Sequence, residues 1–173
     1  MNTEMLMMIL TQTPTWVWGL LALLLVLGLQ QTRERLVSER RLRTLPLAFL
    51  GLSIWSQLTA FGWQPMMMLG YGVSFAVCRR LVLASGWPGH ARLDGQTGLW
   101  RVEGSWAPLA LMMGIFVLKY AMGVALAISP ALGELPAFVL GASALSGGIS
   151  AVFLARARNL LGQAQPAPVA QAA

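Results

Sequence analysis

The stretch WAPLALMMGIFVLKYAMGVALAI, from Trp106 to Ile128, decides the fold of this chain. It is apolar over a length that crosses a bilayer, for which about 20 residues are needed. One lysine, Lys119, stands near its middle. Apolar runs of similar length lie on both sides of it, so we predict a bundle of transmembrane helices. A purely structural span does not need a lysine, and Lys119 is therefore the first candidate for a functional residue.

The composition also favours a membrane protein. Of the 173 residues, 57% are apolar and 10% are charged, whereas a soluble domain carries about 25% charged residues. The net charge is +6, but the basic residues form short clusters between apolar runs, as they do at membrane surfaces. We therefore expect no nucleic-acid binding. Because the chain has one cysteine and one histidine, we also expect no disulfide, no metal site and no cofactor.

The apolar runs predict an all-α membrane protein with five transmembrane helices in one domain, residues 1–161. The spans cover residues 14–30, 44–63, 65–85, 106–128 and 136–155. Between the third and fourth spans we predict a short β-hairpin from Ala91 to Glu103, because Asp94-Gly95 supplies turn chemistry and the residues from Leu99 alternate between apolar and polar. The Ala-, Pro- and Gln-rich tail, residues 162–173, is expected to be disordered.

Arginines set the predicted orientation. They cluster in the first loop, at the end of the third span and after the fifth span, whereas the opposite ends of the spans carry none. Since positive residues favour the cytoplasmic side, we predict that the N-terminus lies outside and that the C-terminus and the hairpin lie inside. We interpret the following arginines as topology residues that contact lipid headgroups: Arg33, Arg35, Arg40, Arg41, Arg43, Arg79, Arg80, Arg156 and Arg158.

Lys119 needs a partner within the membrane. A lysine at the centre of a bilayer costs about 2.5–3.5 kcal/mol on insertion scales, and no predicted span contains Asp or Glu. Gln57 stands as far from the start of its span as Lys119 does, which predicts equal depth. We expect one polar layer from spans two to five, with the first span more peripheral. Its other members, by the same count of depth, are Ser56, Tyr71, Ser74, Ser143 and Ser146.

Two classes of function fit this layer. In the first, the protein binds or transports an anionic or amphiphilic molecule, and Lys119 binds a phosphate, a carboxylate or a propionate, or takes part in proton transfer. In the second, the protein is a structural or accessory subunit of a larger membrane complex, and hydroxyls, Gln57 and backbone carbonyls hold the lysine. The sequence contains no catalytic motif, so we do not expect an enzyme.

The fifth span contains the small-residue run GASALSGGIS at residues 141–150. Ser143 with Gly147, and Ala144 with Gly148, form small-xxx-small pairs, which allow helices to approach closely in lipid. We interpret them as packing residues within the bundle. The alternative is that residues 141–150 contact a second copy or another membrane protein.

Three segments of the chain resemble an uncharacterised family of small bacterial multi-pass membrane proteins, classed as a domain of unknown function. They are TPTWVWGLLALLLVLGL at Thr13–Leu29, LPLAFLGLSIW at Leu45–Trp55 and GSWAPLALMMGIFVLKYAMGVALA at Gly104–Ala127. The pattern GSW…IF..KY..GV in the last segment is the most specific. The resemblance implies a bacterial cytoplasmic membrane protein and brings no activity, cofactor or catalytic residue.

Overall fold

The structure is a computed structural model that describes residues 7, 11, 13–86, 91–93, 99–162 and 165–166. Five α-helices account for most of this part of the chain: α1 (Thr15–Gln30), α2 (Glu39–Phe61), α3 (Pro65–Ser85), α4 (Ala107–Ile128) and α5 (Pro136–Gly162). A 3-10 helix, Pro130–Glu134, joins α4 to α5. The prediction of a mainly helical protein with five helices is confirmed.

Four of the helices are long and apolar enough to cross a membrane: Leu42–Phe61, Pro65–Ser85, Ala107–Ile128 and Pro136–Gly162. The remaining helix, α1, is apolar but has 16 residues. Such a helix rises about 24 Å, less than the roughly 30 Å of a bilayer core. Many large apolar side chains on these helices are exposed, among them Leu52, Val73 and Leu81, as lipid-facing side chains are.

Proline and glycine set the ends of the helices. α3 and α5 begin at Pro65 and Pro136, where the missing N–H of proline costs no hydrogen bond. Gly62 and Gly86, which follow α2 and α3, have φ angles of 66° and 64°, positive values that glycine adopts without strain. α3 continues through Arg79 and Arg80 to Ser85, as predicted for the third span.

α5 is the central helix, because α2, α3 and α4 all pack on it. α3 packs most closely: a Cβ at Gly70 would stand 2.6 Å from the carbonyl oxygen of Leu140, and a Cβ at Gly147 would overlap the backbone of Tyr71. α1 lies outside this group and packs on α4, where Gly28 contacts Leu109. Glycines thus allow both of these close helix approaches.

A small sheet covers one end of the bundle. It comprises β1 (Arg35–Val37), β2 (Ala91–Leu93), β3 (Trp100–Val102) and β4 (Gln165–Pro166), in the order β1-β3-β2-β4. β3 is antiparallel to both β1 and β2, whereas β4 is parallel to β2. β2 and β3 are the strands of the predicted hairpin, and β1 and β4 were not expected. β4 and Gly162, the last residue of α5, lie in the tail that was expected to be disordered, and residues 163–164 and 167–173 fall outside the described residues.

The sheet brings three connections to the same end of the bundle. β1 follows α1, β2 and β3 lie between α3 and α4, and β4 follows α5. At the other end the loops after α2 and α4 meet, where Gln64 Nε2 donates to the carbonyl oxygen of Gly133 over 3.3 Å. Successive helices therefore alternate in direction. The described arginines all belong to the sheet end, and the loops at the other end carry none.

Candidate functional site

Lys119 lines an open cavity of about 410 Å³ between α4 and the start of α1. The side chains from α4 recur at helical spacing along one face, and those from the other wall surround the first turn of α1. The lining residues are Phe116, Lys119, Tyr120, Gly123, Val124, Ala127 and Ile128, with Thr13, Pro14, Trp16, Val17 and Leu20 opposite. Apart from Lys119, this lining is aromatic, aliphatic or uncharged.

A hydrogen bond fixes the two walls of this cavity. The hydroxyls of Thr13 and Tyr120 lie 2.7 Å apart, so α1 begins beside the turn of α4 that carries Lys119. Phe116 stacks on Tyr120, with ring centroids 6.1 Å apart. Gly123 leaves the cavity open, because no atom lies within 4 Å of the position that its Cβ would take.

The amine of Lys119 is buried and has no hydrogen-bond partner among the residues that the structure describes. No acidic side chain of those residues lines the cavity. The start of α1 is close by, and its first turn carries no acidic residue and no side-chain cap. The first N–H groups of a helix lack partners within the helix and favour negative charge. A buried positive charge without a partner is costly. The amine of Lys119, beside the first turn of α1, is therefore suited to bind an anion.

Gln57 and Tyr71 line a different cavity, of about 230 Å³, between α2 and α3. The residues predicted to form one layer are thus divided, with Lys119 beside α1 rather than beside Gln57. The reason lies in how the helices pack and where they end. Lys119 faces the start of α1, and Gln57 lies about 6 Å from the end of α2, whereas Lys119 lies about 14 Å from the end of α4.

The predicted serines take part in packing or lie apart from both cavities. Ser146 Oγ donates to the carbonyl oxygen of Ala142 over 2.9 Å, and Ser143 Oγ is buried with no partner in the described part of the chain. Ser74 Oγ lies 4.0 Å from the sulfur of Cys78. Ser56 is half-buried on α2 and lines neither cavity.

The small residues of α5 face α3. Ser143, Gly147 and Gly148 are buried and Ala144 is half-buried, whereas Leu145 on the other side of the helix is 58% exposed. The small residues that were interpreted as packing residues thus pack against other helices of the same chain. A partner at residues 141–150 would meet the leucine side of α5 instead.

The arginines at the sheet end differ in exposure. Arg33, Arg40, Arg43, Arg80 and Arg158 are exposed and Arg79 is half-buried, as suits headgroup contacts, while the side chains of Arg35 and Arg41 lie outside the described residues. Arg156 is the exception, because it is 6% exposed. Arg156 is therefore buried rather than at the surface, where its predicted contact with lipid headgroups would place it.

Arg156 lines a third cavity, of about 120 Å³, together with Glu103 and Gln31. The sheet packs over this end of α5, where Val102 and Leu160 belong to one apolar cluster. The sequence places Arg156 after an apolar run, where a surface position is expected. Tertiary contacts bury it, because α2, α4 and the strands β1 and β3 line the same cavity.

Residues 1–171 match the model of a family of unknown function, DUF6622. The protein belongs to DUF6622. A stretch of 55 residues is also 44% identical to an uncharacterized protein, PM0739, of Pasteurella multocida strain Pm70. That stretch is 32% of this DUF6622 chain and 43% of the relative, so the match spans less than half of either protein. No solved structure matches the chain. The predicted resemblance to an uncharacterised family is confirmed.

Proposed function

We propose that this protein binds an amphiphilic anion in the cavity around Lys119. The proposal rests on the buried amine of Lys119, which has no hydrogen-bond partner among the described residues. Lys119 lines a cavity of about 410 Å³. A single carboxylate or phosphate oxyanion supplies the missing partner. The first turn of α1 adds N–H groups that favour the same charge.

The other walls of the cavity favour a ligand with an apolar chain. Its walls follow α4 from Phe116 to Ile128, a length of about 18 Å along the helix axis. Trp16 and Phe116 supply flat apolar surfaces, and such surfaces gain from contact with hydrocarbon rather than water. The ligand is therefore an anion with a long apolar chain rather than a small inorganic ion.

We propose further that α1 is a fifth transmembrane span and that the N-terminus lies outside, in a bacterial cytoplasmic membrane. The packing of α1 along α4, from Gly28 at Leu109 to Thr13 at Tyr120, supports a spanning helix. A short span is accommodated by local thinning of the bilayer. The arginines at the sheet end support a cytoplasmic position for that end.

Native mass spectrometry of the gently extracted protein tests the proposed ligand. We expect an anionic amphiphile bound to the wild type, absent from Lys119→Met and retained by Lys119→Arg, because arginine restores the positive charge. If the adduct is also absent from Lys119→Arg, the site requires the shape of the lysine side chain, and anion binding remains supported. An adduct that is equally abundant in folded Lys119→Met would contradict the proposal. A folded wild type without an adduct would also contradict it and would favour an accessory subunit.

A further inference from the structure

The cavity between α2 and α3 is a second site, separate from that of Lys119. Its volume is about 230 Å³, and its walls are mostly apolar. Three residues bring polar atoms, and the others bring only apolar or weakly polar side chains. The lining residues are Gln57, Tyr71 and Trp63, with Ile54, Leu58, Met67, Met68 and Gly72.

Gln57 presents its amide oxygen without a partner. The residue is 1% exposed, and its Nε2 lies 3.5 Å from the carbonyl oxygen of Ala142. That carbonyl only accepts hydrogen bonds, and it already accepts one from Ser146 Oγ at 2.9 Å. The amide nitrogen must therefore face Ala142. Oε1 is left as a buried acceptor with no partner in the described structure.

Tyr71, which lines the same cavity, also carries an unsatisfied polar group. Its hydroxyl is buried and, within the described residues, forms no hydrogen bond. The backbone of Tyr71 contacts Gly147, so α5 holds the residue in place. Buried polar groups without partners are costly, and two of them on residues that line one cavity favour a bound molecule there.

We infer that this cavity binds the hydroxyl end of a neutral long-chain alcohol. A hydroxyl donates to Gln57 Oε1 and accepts from the Tyr71 hydroxyl at the same time. A carboxylate cannot donate to Gln57 Oε1, and an ammonium, which donates to both oxygens, leaves the Tyr71 O–H proton without an acceptor. Water has both capacities, but the cavity is many times larger than the roughly 30 Å³ that one water occupies, and its other walls offer few polar partners. An apolar chain fills that remaining space.

The position of the cavity suits such an alcohol. Gln57 lies one turn before the end of α2, and Trp63, in the loop that follows, is 77% exposed. Tryptophan at the end of a span is typical of the membrane–water interface, where the hydroxyl of a membrane alcohol also lies. At Gly72 no atom stands within 4 Å of the position of a Cβ, so one wall of the cavity is open.

The test uses a long-chain alcohol that carries a diazirine, crosslinked to the full-length protein in detergent and located by peptide mass spectrometry. We expect crosslinks near Met67 and Met68. Unlabelled 1-decanol competes, whereas decyl methyl ether, which has no donor, does not. Gln57→Leu and Gly72→Leu each lower the crosslinked fraction by about threefold to tenfold, the effect of one typical hydrogen bond or of a filled cavity.

Two further variants provide a control and a replacement for this test. Lys119→Met leaves the crosslinked fraction unchanged, because the two cavities are separate. If Gln57→Leu does not fold, Tyr71→Phe replaces it and is expected to lower crosslinking while retaining the ring. Equal competition by the ether, or unchanged crosslinking in folded Gln57→Leu or Tyr71→Phe, overturns the inference. Such a result would mean that water or unselected lipid fills the cavity.

Discussion

The hydroxyl groups of Thr13 and Tyr120 lie 2.7 Å apart and hold the start of α1 beside the turn of α4 that contains Lys119. This contact decides what surrounds the lysine. Its neighbours are the first turn of α1 and the aromatic face of α4, rather than Gln57 and the serines of α5. The anion site that we propose depends on this contact.

Tyr120→Phe should weaken the attachment of α1. The substitution removes one half-buried hydrogen bond with little change of shape, so we expect a loss of about 1 kcal/mol in the free energy of unfolding. Tyr71→Phe is the matched control, since the Tyr71 hydroxyl has no partner among the described residues and its removal should cost close to nothing without added alcohol. Unfolding in a detergent titration measures both. Equal losses would show that the contact between Thr13 and Tyr120 contributes little.

Gly147→Ala should separate α3 from α5. The added Cβ meets the backbone of Tyr71, which cannot move aside as a flexible side chain does, and Gly70→Ala meets the carbonyl oxygen of Leu140 in the same way. We expect each to cost about 1–3 kcal/mol of stability.

The same two helices provide the controls for this prediction. Gly72 on α3 and Gly141 on α5 have no atom within 4 Å of a Cβ position, so Gly72→Ala and Gly141→Ala should not destabilise the protein. Thermal midpoints in detergent compare the four variants. If the midpoints of Gly147→Ala and Gly141→Ala agree, the packing of α3 on α5 differs from that described.

Gly123→Leu should block the Lys119 cavity without changing its charge. The leucine side chain enters the open space beside Lys119 and displaces the apolar chain of the ligand, so we expect at least a tenfold loss of affinity, about 1.4 kcal/mol. Gly51→Leu is the control, because Gly51 is exposed, has open space around it and does not line the cavity. Fluorescent fatty-acid binding measures the affinity. Equal affinities of both variants would place the ligand elsewhere.

Cysteine labelling tests the proposed orientation. The chain has a single cysteine, Cys78, so Cys78→Ser provides a background for new cysteines at Ser38 and Ala131, which are exposed at opposite ends of the bundle. In intact cells a membrane-impermeant maleimide should label the variant Ala131→Cys and not Ser38→Cys. The reverse pattern would contradict an outside N-terminus, and labelling of Ser38→Cys only after lysis would support it.

The helices could be predicted from local features of the sequence. The features that depend on tertiary contacts could not. Pro65 marks the start of α3 and the length needed to cross a bilayer indicated its end, so the third span was predicted with the bounds that α3 has. Strands as short as β1 and β4 show too little periodicity to be seen in sequence. The burial of Arg156 and the separation of Lys119 from Gln57 depend on which helices pack together, and residue spacing within one span does not contain that information.

The anion site at Lys119 is tested by comparing how tightly the purified protein binds two probes that differ in charge, oleate and methyl oleate. We expect the wild type and Lys119→Arg to bind oleate at least about tenfold more tightly than the ester, in line with a hydrogen bond to a charged group. In Lys119→Met this preference should disappear, whereas in Glu4→Gln, which removes the one acidic residue that precedes α1 in the sequence, it should remain. A preference for oleate that survives in folded Lys119→Met would contradict an anion site at Lys119.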